Sequence, residues 1–524
     1  MQGLTKYCVN DVTWYVPAGQ EVLLEDLKKL TNFSEGDGVT ILKKGKRKSF
    51  AHLEATVNGN EVYLKTFQLK GIFHCIKHLF FKSKAVKELE VSLAAKERGV
   101  PVLLPLAAGE RYQNGLLRES YLVIKRLPEA VDLLEYLLRQ DVKYRYKSMV
   151  IEALGKLSRK THDEGILQED FALNNFLLSN TLNMHNDVPL SMENADFTPQ
   201  KAKADCEQVF LIDFERTRVR PKLCTKEKEW TLAKLNRIGA NFTLTDKFRF
   251  LWAYCKTREE FKDLPRWKKL EKYTYQILKR DAKRIFASCI RGDRGYTLYK
   301  DNMLTGYFLK GYQPEELLTL IKTRQWAEEG HRWQFSISRR RGRIRKGEIE
   351  EAVLVYEFNA QQRGLPLAKR AWQCSNGLLK GYFPVSPPVA AVEWKQKEGY
   401  RGALLLKELK KAEDIRDVLR RCPPSIERRH SIFWHTARFL SRLHNFGTFA
   451  GSIFPKDISW VEDRTWGSKL FLTQPYNFVM KKGLKSRERE IDIQRLEEYL
   501  QGMLSEEERD YLREQYWRYA NVIS

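Results

Sequence analysis

Three polar residues in the first half of the chain follow one another at spacings that suit a chemical role. Asp170 is followed five residues later by Asn175, and a short apolar run further along ends at Asp213. Phosphoryl transfer needs little covalent help from a protein: it needs a lysine on the donor phosphates, carboxylate and amide oxygens on Mg²⁺, and an aspartate at the acceptor hydroxyl. The ordered set favours a phosphotransferase, although Asp170 and Asp213 could instead cap a helix and end a strand.

A lysine that could complete this set lies on a predicted strand. Residues 53–68 alternate apolar and polar side chains on either side of an Asn-Gly pair, which predicts a β-hairpin. Lys65 falls on the second strand of that hairpin. By itself a strand lysine between apolar neighbours is usually a surface charge, so the prediction depends on the residues that accompany it.

The rest of the first half changes from strands to helices. Residues 84–98 are rich in helix formers and stop before Gly99, which predicts a helix. Apolar patterns further predict strands at 103–107, 121–124 and 209–212 and helices at 131–139 and 146–162, and the polar stretch 181–207 predicts a surface insertion. We therefore expect a small sheet lobe joined to a helical lobe.

Two segments of the first half have counterparts later in the chain. Residues 114–137 are similar to residues 402–419, and residues 161–178 are similar to residues 443–461. Both matches occur in the same order and in the same predicted structural setting. This pattern predicts a duplicated fold, with domains at about 1–315 and 316–524.

The motifs of the first half resemble those of the lipopolysaccharide core kinases, the family of heptose and Kdo kinases. The resemblance rests on VYLKTF around Lys65, SKAVKELE followed by RGVPV, HDEG, EDFALNNFLL, LIDFERTR and LNRIGANFTLTDKFRFLWAY, and it covers about residues 38 to 300. Together with the internal similarity, it implies an α+β fold of two tandem protein-kinase-like bilobal domains, each with a small β-rich lobe and a helical lobe. ATP and Mg²⁺ are the implied cofactors.

The resemblance assigns the nucleotide side of the site to the β-rich lobe. Lys65 is implied to hold the α and β phosphates, with Glu88 as its partner on the helix and Glu90 as the alternative partner. The loop that covers the phosphates in such kinases is rich in glycine. Here the stretch from Lys43 to Ser49 reads KKGKRKS and contains a single glycine.

The acceptor and the metal are assigned to the helical lobe. Asp170 is implied to orient the sugar hydroxyl or accept its proton, and Asn175 and Asp213 are implied to bind Mg²⁺, which makes the γ-phosphate a better electrophile. The chain departs from the family pattern of the catalytic loop at Gln168 and Glu169, where His and Arg are common. Phe-Glu, rather than Phe-Gly, follows the last aspartate.

The second copy has different residues at the corresponding positions. Ser452, Asp457 and Gln474 stand where the first copy has its Asp, Asn and Asp. Serine and glutamine cannot serve as a base and an anionic metal ligand. The second domain is therefore predicted to be a pseudokinase that scaffolds, regulates or helps to hold the acceptor.

The formal charge of +25 favours anionic partners such as phosphates, nucleic acid or an anionic membrane. The basic runs Lys43–Lys48 and Arg339–Lys346 are usual for solvated faces, yet both could contact such a membrane. Nucleic acid is the less favoured partner because no recognisable binding module is present. Scattered single cysteines do not predict a zinc site.

The resemblance to the lipopolysaccharide core kinases implies the lipid A-core oligosaccharide as acceptor and a cytoplasmic, peripheral place at the inner membrane of a Gram-negative bacterium. The start of the chain does not have the pattern of a secretory signal, and about 18 apolar residues never occur in a row. Two alternatives stay open: a small-molecule phosphotransferase of the same fold, which the basic charge disfavours, and a catalytically silent regulator.

Overall fold

The computed structural model of the 524-residue chain divides into two compact units. The first unit is Met1–Leu235 with Leu244–Leu264, and the second unit is Asn236–Thr243 with Pro265–Ser524. The structure describes residues 3–19, 26–27, 39–44, 48–57, 60–69, 75, 78, 81–127, 129–139, 141–179, 209–237, 242–293, 295–323, 327–333, 337–346, 349–360, 367–396, 399–409, 411–422, 426–449, 458–463, 467–473, 479–481 and 483–520. The predicted insertion at 181–207 lies outside the described residues.

The first unit begins with strands and ends with helices. In chain order its elements are β1 (Leu4–Val9), β2 (Val12–Pro17), β3 (Val39–Lys44), β4 (Lys48–Val57), β5 (Asn60–Gln68), α1 (Lys84–Glu97), β6 (Pro105–Gln113), β7 (Leu116–Lys125), β8 (Val131–Asp132), α2 (Leu133–Leu138), α3 (Tyr144–Asp163), β9 (Ile166–Gln168), β10 (Phe176–Leu178), β11 (Val209–Leu211), β12 (Thr217–Val219), α4 (Thr225–Leu235), α5 (Leu244–Tyr254) and α6 (Arg258–Lys262). In the described part, seven antiparallel strands form one sheet in the order β1-β2-β6-β7-β5-β4-β3. The mixed α and β content agrees with the predicted class.

The hairpin of β1 and β2 was not among the predicted elements. Asn10 and Asp11 form its turn with φ of 49° and 61°, a left-handed conformation that these two residues tolerate. On β2, alternate side chains from Val12 to Val16 are buried, and the indole of Trp14 lies in the sheet core. The Asn-Asp pair before an alternating segment was the signal for this hairpin.

Helix α1 is fixed against the sheet at its first turn. The Ser83 hydroxyl accepts a hydrogen bond from the Val86 amide at 3.2 Å, which makes Ser83 the N-cap. The Ser83 amide in turn donates to the Glu110 carboxylate on β6 at 3.2 Å. These bonds set the rotation of α1, so that Glu88 and Leu89 are buried.

The second unit repeats the strand order of the first unit. Its elements are α7 (Leu264–Ser288, apart from its first residue), β13 (Tyr296–Lys300), β14 (Leu304–Leu309), α8 (Pro314–Thr323), β15 (Ala327–Trp333), β16 (Ile337–Lys346), β17 (Ile349–Ala360), α9 (Leu367–Lys380), β18 (Pro388–Gln396), β19 (Gly399–Lys407), β20 (Ala412–Asp414), α10 (Ile415–Arg421), α11 (Ile426–Asn445), β21 (Thr448–Phe449), β22 (Ile458–Asp463), β23 (Gly467–Leu472), β24 (Val479–Met480), α12 (Ser486–Tyr499) and α13 (Glu506–Ala520). Among the described strands, the order β13-β14-β18-β19-β17-β16-β15 matches the first sheet position by position.

The repeat extends to irregular details of the backbone. The strand register shifts between Pro105 and Ala107 on β6 and again between Pro388 and Ala390 on β18. Helices α1 and α9 each span 14 residues. These coincidences define which residues of the two units correspond, independently of sequence similarity.

The compact units differ in extent from the domains expected at 1–315 and 316–524. Residues 265–315 contribute α7, β13 and β14 to the second unit, where β14 pairs with β18. Strands β13 and β14 occupy the same places in their sheet as β1 and β2 occupy in the first. Within the described residues, no helix has the length and apolar character that a membrane span requires.

Glu393 on β18 predicts a pH dependence of stability. Its carboxylate accepts a hydrogen bond from the Lys369 amide of α9, and burial raises its pKa to about 7. A carboxyl group whose pKa is higher in the folded state stabilises the fold at low pH, and this stability is lost as pH rises from about 4.5 to 7. We expect Glu393→Gln to be more stable than the unaltered protein at pH 8, by at most about 3 kcal/mol.

Calorimetric melting of both proteins at pH 5 and pH 8 measures this difference. Glu350→Gln is the matched control, because Glu350 lies on strand β17 of the same sheet and is exposed. An identical pH dependence for Glu393→Gln and the unaltered protein would contradict the expectation.

Candidate active site

A buried lysine forms the centre of the candidate site in the first unit. Lys65 on β5 is 4% exposed, and its Nζ donates to the two carboxylate oxygens of Glu88 on α1 at 2.8 and 2.7 Å. It also donates to Oδ1 of Asp213 at 2.8 Å. Glu90 instead accepts from Lys82 at the surface. The structure therefore pairs Lys65 with Glu88 and not with Glu90.

The helix sequence contains the signal that distinguishes these two glutamates. Ala85, Leu89 and Ser92 repeat at intervals of three or four and are buried, so Glu88 lies on the same buried face of α1. Glu90 is two residues further along, about 200° around the helix axis. Helical periodicity alone separates the two candidates.

The carboxylates keep Lys65 charged despite its burial. Burial alone would lower the pKa of the Lys65 ammonium, but Glu88 and Asp213 raise it above its usual value. Asp213 lies two residues after β11 and has a left-handed backbone, with φ 60° and ψ 72°. The next residue, Phe214, donates its amide to Oε1 of Glu88 at 3.2 Å. Asp213 is thus held in place by its own bond to Lys65 and by the bond of the next residue, Phe214, to Glu88.

The loop that carries Asp170 is joined to the same strand end. Asn175 donates its side-chain amide to the carbonyl of Asp170 at 2.6 Å, and its own carbonyl accepts from the Ile212 amide at 2.9 Å. Gln168 donates to the carbonyls of Ile212 and Asp213 at 2.8 and 2.9 Å. Gln168 is the residue that replaces the common histidine, and here it ties the loop to the strand. The three predicted polar residues are brought to one region.

The exposure of these side chains suits different tasks. Asp170 lies in a turn and is exposed, whereas Asn175 is buried in a short 3-10 helix. Among the described residues, no group of three or more His, Cys, Asp or Glu is arranged to hold a metal ion. Mg²⁺ commonly takes only one or two protein oxygens and completes its shell with phosphate and water. The amide oxygen of Asn175 and the carboxylate of Asp213 fit that requirement.

Aromatic packing against His162 supports the loop that carries Asp170. His162 at the end of α3 bonds the Tyr254 hydroxyl through Nδ1 at 3.0 Å and the Thr231 hydroxyl through Nε2 at 2.8 Å. Phe171, next to Asp170, packs against the imidazole of His162 with ring centroids 5.5 Å apart. His162 is consequently a structural residue, satisfied on both nitrogens.

Three charged residues of the site were not predicted from the sequence. Lys48, at the start of β4, donates to Glu215 at 3.1 Å and lies 3.8 Å from Oδ2 of Asp213. Lys84, at the start of α1, donates to the other oxygen of Glu215 at 2.6 Å. The signals were the basic run before β4 and the glutamate that replaces glycine after Asp213. Neither signal reveals that Lys48 and Glu215 form an ion pair.

The second unit has an uncharged residue in place of the central lysine. Lys65 pairs with Leu122 in the first sheet, and Tyr356 pairs with Leu404 at the corresponding position of the second sheet. Tyr356 is 1% exposed, and its hydroxyl donates to the carbonyl of Thr473 at 3.5 Å. A phenol therefore occupies the place of the ammonium.

The partner of that lysine is also replaced. Ala371 is the fifth residue of α9, as Glu88 is the fifth residue of α1. It packs with Tyr356 in one apolar cluster. Ser452, Asp457 and Gln474, on which the prediction of a degenerate copy was based, lie outside the described residues. The described part of the second unit adds two substitutions that the sequence comparison missed.

Comparison with known proteins assigns the chain to a family. The sequence profile of the lipopolysaccharide kinase (Kdo/WaaP) family matches residues 43–254 and 345–519, more than half of the chain. The chain belongs to this family. The first match contains every predicted site residue of the first unit, and the second match lies in the second unit.

Two members of the lipopolysaccharide kinase family share about a quarter of the aligned residues with this chain. The lipopolysaccharide core heptose(I) kinase WaaP of Pseudomonas aeruginosa is 25% identical over 213 residues, which cover 38% of this chain and 72% of that protein. The enzyme of the same name from Escherichia coli (strain K12) is 23% identical over 211 residues, which cover 39% and 72%. A solved structure of WaaP in complex with acyl carrier protein is 21% identical, covers 45% of this chain and 88% of that chain, and has a TM-score of 0.32.

The two glutamates of α1 give a matched test of the buried charge pair. Glu88→Ala leaves Lys65 buried with Asp213 as its remaining carboxylate, so we expect the first unit to lose about 3 kcal/mol or more of unfolding free energy. Glu90→Ala removes an exposed ion pair and should cost no more than about 1 kcal/mol. Both changes replace glutamate by alanine in one helix, so helix propensity cancels. Equal losses in chemical denaturation would contradict the assignment.

Proposed function

We propose that this protein is an ATP-dependent kinase that phosphorylates a heptose or Kdo hydroxyl of the lipopolysaccharide inner core. One observation carries the proposal: Lys65, Glu88 and Asp213 form a single hydrogen-bonded group beside the loop from Asp170 to Asn175. The match to the lipopolysaccharide kinase family supports the same conclusion. Phosphotransfer depends on positioning and charge stabilisation, which this group supplies.

In this proposal Lys65 binds the α and β phosphates of ATP. Its ammonium stays charged, because the carboxylates of Glu88 and Asp213 offset the effect of burial. Glu88 accepts two hydrogen bonds from Lys65 and so fixes the direction of its Nζ. When Asp213 turns to the metal, Lys65 can meet the phosphates while Glu88 keeps its ammonium in place.

Asp170 acts on the acceptor. It lies exposed in its turn, with its backbone carbonyl held by the Asn175 amide. The bond that forms joins the sugar oxygen to the γ-phosphorus, the bond that breaks releases ADP, and Asp170 takes the hydroxyl proton. Asn175 and Asp213 would hold Mg²⁺, which supplies neutralisation of phosphate charge when bound.

The acceptor class follows from the relatives and from charge. The named relatives are heptose(I) kinases of the lipopolysaccharide core, and we propose the lipid A-core oligosaccharide as acceptor here. A formal charge of +25 suits an anionic, phosphorylated glycolipid and a peripheral place at the inner membrane of a Gram-negative bacterium. A small-molecule phosphotransferase for cationic substrates would benefit from the opposite charge.

The second unit is proposed to be a degenerate, catalytically silent kinase-like domain in tandem with the first. Tyr356 and Ala371 replace the lysine and glutamate of the first unit and pack together without charge. Ser452 and Gln474 replace the base and the metal ligand in the sequence. A site without these four groups has neither a phosphate ligand nor a proton acceptor.

Transfer of phosphate to purified lipid A-core, followed by mass spectrometry, tests the proposed function. We expect Asp170→Ala to lose about a thousandfold or more in kcat, because the carboxylate acts in the transition state, while ATP affinity stays nearly unchanged. Asp141→Ala, an exposed aspartate of the same unit, is the control and should stay within a few-fold. Absence of phosphate on the lipid, with transfer to a small alcohol, would favour the small-molecule alternative instead.

The silent second unit gives a separate expectation. Ser452→Ala, Gln474→Ala and Tyr356→Phe should each leave kcat within a few-fold, since peripheral changes have effects of that size. Asp213→Ala, measured beside them, should abolish transfer. A loss of about a thousandfold in any of the three second-unit variants, with folding intact, would show that the second unit takes part in the chemistry.

A further inference from the structure

The basic run before β4 brings one of its lysines to the face of the sheet that carries Lys65. Lys48 pairs with Phe67 across the two strands, and Lys65 precedes Phe67 by two residues. Cross-strand partners and residues two apart lie on the same face of a sheet. The ammonium groups of Lys48 and Lys65 lie 5.4 and 5.3 Å from the centre of the Phe67 ring. The two lysines therefore share one surface of the candidate site.

Lys48 differs from Lys65 in how firmly it is held. Its side chain is 40% exposed, against 5% for Lys65. It contacts Glu215 at 3.1 Å, and Oδ2 of Asp213 lies 3.8 Å away. Lys84 also donates to Glu215, at 2.6 Å. A partly exposed ion pair contributes little to stability and is easily exchanged.

The charges of this group balance before a nucleotide is present. Among the described side chains, the ammonium groups of Lys48, Lys65 and Lys84 face the carboxylates of Glu88, Asp213 and Glu215. A triphosphate adds several negative charges, and in the proposed function Asp213 turns to the metal. One of these lysines can then exchange its carboxylate for phosphate. Lys48 and Lys84 both have the exposure to do so, at 40% and 53%, and of these two Lys48 is the one that also lies 3.8 Å from Oδ2 of Asp213.

The loop before β4 contains few glycines, so phosphate binding there needs another donor. Kinase loops that cover the phosphates use many glycines, because their backbone amides must approach the phosphate oxygens closely. The stretch from Lys43 to Ser49 has a single glycine, Gly45. A lysine ammonium at the base of this hairpin supplies by point charge what backbone amides supply elsewhere.

We propose that Lys48 is a phosphate-binding residue of the nucleotide site, held by Glu215 until ATP arrives and then transferred to the terminal phosphates. This inference rests on the proposed function, and it adds Lys48 to Lys65 as a second phosphate-binding lysine. Glu215 acts as a positioning residue, which keeps the lysine over the site and competes with phosphate for it.

Calorimetric titration of the full chain with ATP, ADP and adenosine tests the role of Lys48. We expect Lys48→Met to weaken ATP binding about tenfold or more, the loss of one charge-assisted contact, and to leave adenosine binding unchanged. Lys48→Arg keeps the charge and should restore most of the affinity, which also guards against a folding defect in Lys48→Met. Lys82→Met is the matched control, because Lys82 pairs with Glu90 at the surface. Unchanged ATP affinity in Lys48→Met would overturn the proposal.

Glu215→Gln should have the opposite effect, because it removes the group that competes with phosphate. We expect ATP to bind a few-fold more tightly to Glu215→Gln and this gain to disappear when Lys48→Met is also present. A gain that persists in the double variant would show that Glu215 acts by repulsion alone, which overturns its role as a holder of Lys48.

Nucleotide binding and phosphate transfer by the unaltered protein distinguish failure of the proposed function from failure of the role of Lys48. If the unaltered protein binds no nucleotide and transfers no phosphate, the proposed function and the role of Lys48 fail together. If the unaltered protein binds ATP and phosphorylates the lipid while Lys48→Met behaves identically, only the role of Lys48 fails.

Discussion

The first unit depends on one buried charge pair, Lys65 with Glu88. Removing two charges from water costs more than their attraction returns unless the geometry is good and further hydrogen bonds are made. Here both oxygens of Glu88 accept from Lys65, one also accepts from the Phe214 amide, and Asp213 meets Lys65 from the other side. The pair joins β5, α1 and the segment that follows β11, so it fixes the positions of these three parts relative to one another.

The second unit shows that the backbone does not need this pair. It has the same strand order and the same register shift, yet Tyr356 and Ala371 occupy the two positions. Well-packed apolar residues often replace a buried ion pair without loss of stability. The strand order of the sheet therefore does not by itself require Lys65 and Glu88.

Much of the architecture was predictable from local patterns. The hairpin of β4 and β5, helix α1 and helix α3 lie where apolar periodicity placed them, and the similar segments at 114–137 and 402–419 occupy corresponding elements. The hairpin of β1 and β2 was missed, although its Asn-Asp turn is a recognisable signal. Residues 265–315 were assigned to the first domain because no local pattern shows that β14 pairs with β18, more than 80 residues later.

The sequence by itself determined which polar residues lie close together within short segments. The spacing of Asp170 and Asn175 is local, and the burial of Glu88 follows from the period of its own helix. Only the tertiary structure decided the partners across long separations, such as Lys48 with Glu215, which are 167 residues apart. Such contacts depend on strand register and on the packing of α1 against the sheet, because a register shift of one residue reverses the face that each side chain occupies.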